Sequence, residues 1–398
     1  MQTTDSVQDL AEIVAQTDGS IRVVGGDSGQ ALAGPVTADQ DVSTSALNDM
    51  ILFEPTELVV GCQAGMPLPH LKQTLAEKRL MLPFDAPDYR SVLGTEDKTP
   101  TIGGLVAGGH SGPARLVRGA LRDSLIGVKI INGKGEIITG GGRVMKNVTG
   151  YDLPKLIAGS WGTLGIITEA TFKLLPMFET EITLALWDVS PEQGIAALSA
   201  ALGTPYEVQA AAYLPASLAL RSALKQDRPV AIVQLQSFAE FLPDRVDALC
   251  KAVSDHGAFE NLGAQADLWQ GIQDLTVYAQ DLSSLIWRIN CRPTQAAQIA
   301  DDIAADDPSA ETLFDWGGGR LWVSTSQDTD ARQMRVICDR YSASAMLFRG
   351  PAEMRASLPA LPRPSGGMAM IGQQVKAAFD PDGKFNPGRM PLAVEEPA

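Results

Sequence analysis

Residues 159–175 read GSWGTLGIITEATFKLL, and the fold turns on how this stretch is interpreted. Gly159, Gly162 and Gly165 stand in a GxxGxxG spacing. Glycine lets the backbone take positive φ and approach a ligand closely. The run that follows is β-rich, so a strand, not a helix, leaves the loop. A nicotinamide-binding βαβ unit needs GxGxxG opening a helix, and that pattern is absent. No Walker A sequence occurs either.

Three further loops share this texture. VVGGDSGQALAG (23–34) places Gly25, Gly26, Asp27, Ser28 and Gly29 just after a strand-like IRVVG. Successive amides in such a turn form an anion-binding nest, and a plain β-turn is the alternative. TPTIGGLVAGGHSG (99–112) holds Gly103-Gly104 and Gly108-Gly109 around a small apolar stretch. It reads either as a surface for a flat ring or pyrophosphate, or as a tightly packed glycine-rich helix. FDPDGKFNPGRM (379–390) is by itself a turn-rich tail.

Around these loops the chain falls into two regimes. Residues 20–176 are glycine-rich, with β-like runs at 21–25, 58–62, 125–132, 136–139 and 165–175. Gly133-Lys134-Gly135 joins two of them as a hairpin. PLPHLKQTLAEKRL (67–80) sets Leu68, Leu71 and Leu75 on one helical face, and Asp152 before Pro154 reads as an N-cap. From about residue 180 strands and helices alternate, which predicts an antiparallel sheet covered on one side by helices. Residues 351–367 read as a Pro/Gly/Ser-rich linker, ahead of a last helix and the tail.

Composition narrows the function. The 398 residues carry a formal net charge of −15, which excludes nucleic acid and anionic membrane surfaces as partners. A dinucleotide's pyrophosphate would therefore be met by backbone amides. Cys62, Cys250, Cys291 and Cys338 form no CxxC pair, and His70, His110 and His256 lie far apart, so no metal or cluster site is expected. The N-terminus has no signal-peptide pattern and no run is apolar enough to span a membrane, so a cytoplasmic location is expected.

Five segments together resemble the FAD-linked oxidases of the vanillyl-alcohol-oxidase, or p-cresol-methylhydroxylase (PCMH), type. They are Gly25-Gly26-Asp27-Ser28, TIGG (101–104), KNVTGYDL (146–153), GSWGTLGIITE (159–169) and FNPGRM (385–390). Within that family, IWRI (286–289) and FDWGGGRLW (314–322) make the chain most similar to flavin-binding subunits of bacterial glycolate oxidase. The resemblance covers nearly the whole chain. It implies an α+β protein: a two-subdomain PCMH-type FAD-binding domain (1–177), an α+β cap domain with an antiparallel sheet (178–350), and a linker, last helix and tail returning to the flavin domain (351–398).

It also implies which residues meet FAD. These are Gly25, Gly26, Asp27, Ser28 and Gly29 at the pyrophosphate. Thr101, Ile102, Gly103, Gly104, Gly108, Gly109 and Ser111 come from the second loop, and Gly159, Ser160, Gly162, Thr163, Gly165, Ile166 and Ile167 from the third. Asn386 comes from the tail. Family members that bind FAD covalently use a histidine in the first glycine loop; none stands between 20 and 34, so FAD is expected to be non-covalent. The implied partners are a homologous flavoprotein subunit and an iron–sulfur subunit, with a place at the inner membrane through those partners. The implied reaction is oxidation of glycolate, or a similar small 2-hydroxy acid, to the 2-oxo acid, with electrons passed to an acceptor other than oxygen.

The chemistry needs a cation for the carboxylate and a base for the hydroxyl. Arg115, Arg288, Arg320 and Arg389 are candidate cations, and His110 is the one histidine in a flavin-loop block. Of these His110, Arg288 and Arg320 form the candidate catalytic set, against the plainer reading of structural arginines and a loop-bonding histidine. Related D-2-hydroxy-acid dehydrogenases carry a GHxGDGNxH motif that is missing here. That favours an alternative in which this chain is a non-catalytic flavoprotein or scaffold subunit supporting a homologous catalytic chain. Trp161, inside the third loop, is the tryptophan best placed to touch a flavin.

Overall fold

The computed structural model describes residues 1–142, 151–361, 364 and 366–391. The strand expected after the 159–165 loop is Ile166–Lys173, whose side chains alternate between the core and a half-buried face over its second half. It is the central strand of a five-stranded antiparallel sheet, in the order Met50–Glu54, Val59–Gln63, Ile166–Lys173, Leu125–Ile131, Ile137–Gly141. The last two strands are the hairpin read from Gly133-Lys134-Gly135. Gly135 turns it at φ +78°, where a Cβ would meet the Ala11 carbonyl at 2.6 Å.

Helices Leu68–Glu77, Ile102–Gly108 and Leu153–Ile157 close one face of this sheet. Leu68, Leu71, Leu75, Leu105, Val106 and Ile157 pack there on Val60, Ile130 and Phe172. Asp152 caps the third helix by accepting from the Lys155 amide at 3.3 Å. Of the KNVTGYDL block, residues 146–150 lie outside the described residues, and Tyr151 and Asp152 are exposed.

A small parallel sheet, in the order Gln2–Thr3, Gln40–Ser43, Ile21–Val24, stands alongside. The tail extends it: the Ile21 amide donates to the Lys384 carbonyl at 2.7 Å, and the Asn386 amide to the Ile21 carbonyl at 2.9 Å. Phe385 is thereby buried among Leu10, Ile21, Ile131 and Ile166.

Residues 180–349 build an eight-stranded antiparallel sheet with Glu260–Asn261 at one edge and Ser344–Arg349 at the other. Strand side chains alternate faces. Trp287, Ile289, Leu321 and Val323 pack under helices Pro191–Leu202, Leu242–Ala252, Ala296–Asp306 and Ala331–Arg340. Ile286, Trp322, Met346 and Phe348 face the other way, and with Tyr89 and Trp161 they form a second core against the glycine loops. This is the PCMH-type fold with an α+β cap.

One local reading changes. The stretch read as a linker contains a short helix, Ala352–Ser357, whose Arg355 is buried and donates to the Ala33 carbonyl at 2.8 Å. Asp307, at the end of helix Ala296–Asp306, is buried and accepts from Ser309, the Ser326 amide and Thr329. Those donors hold its carboxyl down at about 2 against the opposing effect of burial.

Candidate cofactor cleft

One wall of the cleft between the sheets is backbone. Gly25, Gly26, Asp27, Ser28 and Gly29 line it, with Thr101, Gly103, Gly104 and Gly108 from the short helix, Gly162, Gly165 and Ile167 from the third loop, and Asn386 from the tail. Side chains have no room on much of this wall. A Cβ on Gly26 would lie 1.8 Å from the Thr99 carbonyl oxygen, one on Gly103 2.8 Å from the Ala64 Cβ, and one on Gly108 2.4 Å from His110 Nε2. Both readings of the second loop hold at once: it is a glycine-rich helix, capped by the Thr101 hydroxyl on the Gly104 amide, and it faces the cleft.

The other expected residues stand behind the wall. Ile102 and Ile166 are fully buried because their apolar side chains point into the cores. Gly109 and Gly159 press against each other; a Cβ on Gly109 would sit 2.9 Å from the Gly159 Cα. Thr163 bonds the Ser160 carbonyl at 2.7 Å, and Ser111, like Ser160, is buried.

The tail locks the first loop. Asn386 Oδ1 accepts from the Val23 amide at 2.9 Å, while its Nδ2 donates to the Trp161 and Gly162 carbonyls at 3.0 and 3.2 Å. Arg389 donates to the carbonyls of Gly29, Gln30 and Gly34 at 3.0–3.2 Å. Arg389 is thus a structural clamp rather than a free cation. Among the described residues no acceptor meets the amides of Gly26, Asp27 or Gly29. The Asp27 side chain leaves a buried Oδ1 without a partner, on a backbone held at φ +64°. Unpaired amides beside a wall without side chains fit the pyrophosphate of FAD.

The opposite end of the cleft is built from side chains. His110 is buried; its ring meets Tyr89 edge-on at 5.2 Å and Trp161 at 5.5 Å. Burial, then the charges of Arg288 and Arg320, push its pKa down to about 3, so it is neutral. Arg288 extends from the cap strand Leu285–Asn290 and forms no hydrogen bond or ion pair with any described residue; its Nε is sealed without a partner.

Arg320 is better held. It donates to Asn290 Oδ1 at 3.1 Å and to the Ser111 carbonyl at 3.2 Å, and lies 3.4 Å over the Trp316 ring. Trp316 Nε1 donates to the Gly112 carbonyl at 3.0 Å, so the cap holds the loop that carries His110. Arg115 covers the Trp316 ring from 4.9 Å. Asp315 is buried beside Arg320, and burial outweighs that cation, pushing its carboxyl up to about 7.

Sequence reasoning missed the segment Pro87–Arg90 and Leu93, which line the cleft. Nothing in DAPDYRSVL announces a site. Its position depends on Asp88, whose amide bonds Asp274 in the cap at 2.9 Å and whose carboxylate pairs with Arg90 at 2.7 Å.

Comparison with known proteins agrees with this geometry. Residues 1–141 match the FAD binding domain family. The chain is 29% identical over 393 residues to glycolate oxidase subunit GlcE of Escherichia coli (strain K12), covering 98% of this chain and 99% of that protein. It is 28% identical over 400 residues to glycolate oxidase subunit GlcD of Bacillus subtilis (strain 168), covering 86% and 77%. D-lactate dehydrogenase of Anaerostipes hadrus is 26% identical over 393 residues, 88% of this chain and 79% of that one. Among solved structures, an alkyldihydroxyacetonephosphate synthase superposes with a TM-score of 0.71 at 17% identity, over 97% of this chain and 75% of the other; it shares the fold. The chain thus carries a FAD binding domain over residues 1–141 within a PCMH-type fold, and over nearly its whole length it is similar to a glycolate oxidase subunit.

Proposed function

We propose that this chain is the FAD-carrying subunit of an oxidase for glycolate or a similarly small 2-hydroxy acid, with FAD held non-covalently. The observation that carries the reading is Arg288: a cation with no hydrogen bond or ion pair to any described residue, whose charge, with that of Arg320, acts on His110 in a cleft whose other wall is glycine backbone. An unpaired charge away from water is costly until an anion joins it. A guanidinium fork matches both oxygens of a carboxylate.

Bound FAD supplies the acceptor for the hydride leaving the substrate's carbon. Arg288 and Arg320 hold the carboxylate and orient the 2-hydroxyl toward His110. His110 Nδ1 is sealed, so Nε2 is the atom that takes the hydroxyl proton. A bound carboxylate offsets the two guanidiniums, which are the second cause of the depressed His110 basicity.

A relative of matching length and a second covered over 77% of its length are both named as glycolate oxidase subunits, which supports a place in a multi-subunit complex. We assign a homologous flavoprotein and an iron–sulfur protein as partners, with electrons leaving to an acceptor other than oxygen. No helix among the described residues is long and apolar enough to cross a membrane. The complex is proposed to be cytoplasmic and attached to the inner membrane through its partners.

The weak basicity of His110 favours a second reading, in which the chemistry takes place on the homologous chain and this one supports it. Anaerobic glycolate added to the FAD-loaded chain separates the two. Loss of the yellow colour supports the first. A spectrum that stays oxidised until partner chains are added supports the second. No reduction in either case contradicts both.

A further inference from the structure

We propose that Tyr89 is a substrate-binding residue whose hydroxyl donates a hydrogen bond to the carboxylate held by Arg288 and Arg320. The inference rests on the functional reading above and adds to it a contact from the flavin-domain side of the cleft.

Three observations carry it. First, the ring cannot turn away. Tyr89 is 7% exposed, and Phe348 and His110 meet it edge-on at 4.8 and 5.2 Å, with Trp322 tilted at 6.2 Å. Its backbone is tied down on both sides, through Asp88 to Asp274 and through Arg90 to the Lys98 carbonyl at 3.0 Å.

Second, its hydroxyl has no partner among the described residues. Nor is it among the sealed atoms, so it is reachable from the cleft that Tyr89 lines, and a tyrosine hydroxyl in so packed a setting normally finds a partner. The other two tyrosines of the cores do. Tyr278 donates to the Trp322 carbonyl at 2.8 Å and accepts from the Leu313 amide at 3.0 Å, and Tyr213 donates to the Val189 carbonyl at 3.0 Å. Tyr89 differs from them in lining the cleft.

Third, its electrostatic neighbours are the right ones. Arg288 and Arg320 both act on Tyr89, while burial, the larger influence, raises its pKa and keeps the phenol protonated as a donor. A protonated phenol within the electrostatic reach of two guanidiniums offers an anion three donor groups from two domains, and a neutral alcohol gains much less from it.

The test uses the full chain loaded with FAD, and oxalate as probe, since oxalate carries carboxylates but no carbon-bound hydrogen to lose. Oxalate binding is followed by the shift it causes in the flavin absorption spectrum, and FAD affinity by flavin fluorescence. Tyr89→Phe keeps the packed ring and removes the donor. The expected result is a rise in the oxalate Kd of roughly 10-fold or more, the size of a lost hydrogen bond to a charged group, with FAD affinity within about 2-fold of wild type. Wild-type binding of oxalate by Tyr89→Phe overturns the proposal and leaves the functional reading standing. Parallel loss of oxalate and FAD affinity also overturns it, because Tyr89 is then structural. A wild-type chain that gives no response to oxalate overturns the carboxylate site itself.

Discussion

The two walls of the cleft are made by opposite means. The glycine wall excludes side chains: Gly25, Gly26, Gly103 and Gly108 each stand where a Cβ would fall within 3 Å of a neighbour. The cap end is crowded with side chains, several of them left with unmet charge or hydrogen-bonding capacity: Arg288, His110 and Tyr89. A backbone wall suits a part of the ligand that is always the same, because amides offer fixed geometry and no charge of their own. A side-chain wall suits the part where charge arrives and leaves. The difference teaches that holding the cofactor and selecting the substrate are separable, and mutations should separate them.

The largest effect is expected at Gly26→Ala. The new Cβ cannot occupy a point 1.8 Å from the Thr99 carbonyl, so the first loop must move, at a cost of roughly 3 kcal/mol or more. Purified protein should carry little FAD. Gly159→Ala is the internal contrast: at φ +82° its Cβ meets open space, so only about 1–2 kcal/mol of backbone strain should appear in urea unfolding. Similar losses at both positions would break the steric account of this wall.

Asn386→Ala removes three hydrogen bonds that tie the tail to Val23, Trp161 and Gly162, and should cost about 2–3 kcal/mol. Weaker FAD binding should accompany it, because the same residue joins the first and third loops. Unchanged FAD affinity would place the tail outside the cofactor wall.

At the cap end the sign of a pH effect can be worked out. Asp315 has a folded pKa of about 7, above the usual unfolded value near 4. The folded state therefore binds more protons between these values. The stability this contributes is present below pH ~4 and is lost as pH rises through 7. Asp315→Asn should unfold at a higher urea concentration than wild type at pH 8, by at least about 1 kcal/mol, and the gap should narrow markedly at pH 5. His110 acts in the opposite direction. Its pKa of about 3 lies below the unfolded value near 6.5, so its contribution is lost as pH falls below that value.

The smallest stability change is expected at Arg288→Met. Replacing an unpaired, largely enclosed cation by an apolar chain should stabilise the ligand-free protein by about 1 kcal/mol, while carboxylate binding is lost. A destabilised variant would mean that Arg288 serves the fold.

Much of the glycine wall was legible in sequence because its cause is local. Glycine pairs after a strand, the TIGG block and the GSWGTLG loop each mark a place where backbone must turn or come close, and the tail block FNPGRM supplied Asn386. The hairpin at Gly133–Gly135 and the helix carrying Leu68, Leu71 and Leu75 were legible for the same reason. The cap end was legible only as a set of candidates. Arg288, Arg320 and Tyr89 come from three separate segments, and strand pairing decides which arginines come close enough to act on His110. Arg389 shows the limit of residue type as a guide: a cation in a flavin-family tail turned out to hold carbonyls. Tyr89 was missed because its importance lies in a hydrogen bond it does not make.

The most direct test of the division of labour is anaerobic reduction by glycolate of the FAD-loaded wild type and of Arg288→Met, each alone and with partner chains. The account predicts that both proteins carry FAD equally, that wild type loses its yellow colour, and that Arg288→Met stays oxidised at the same glycolate concentration. Equal reduction of the two, or loss of FAD from Arg288→Met, would contradict it.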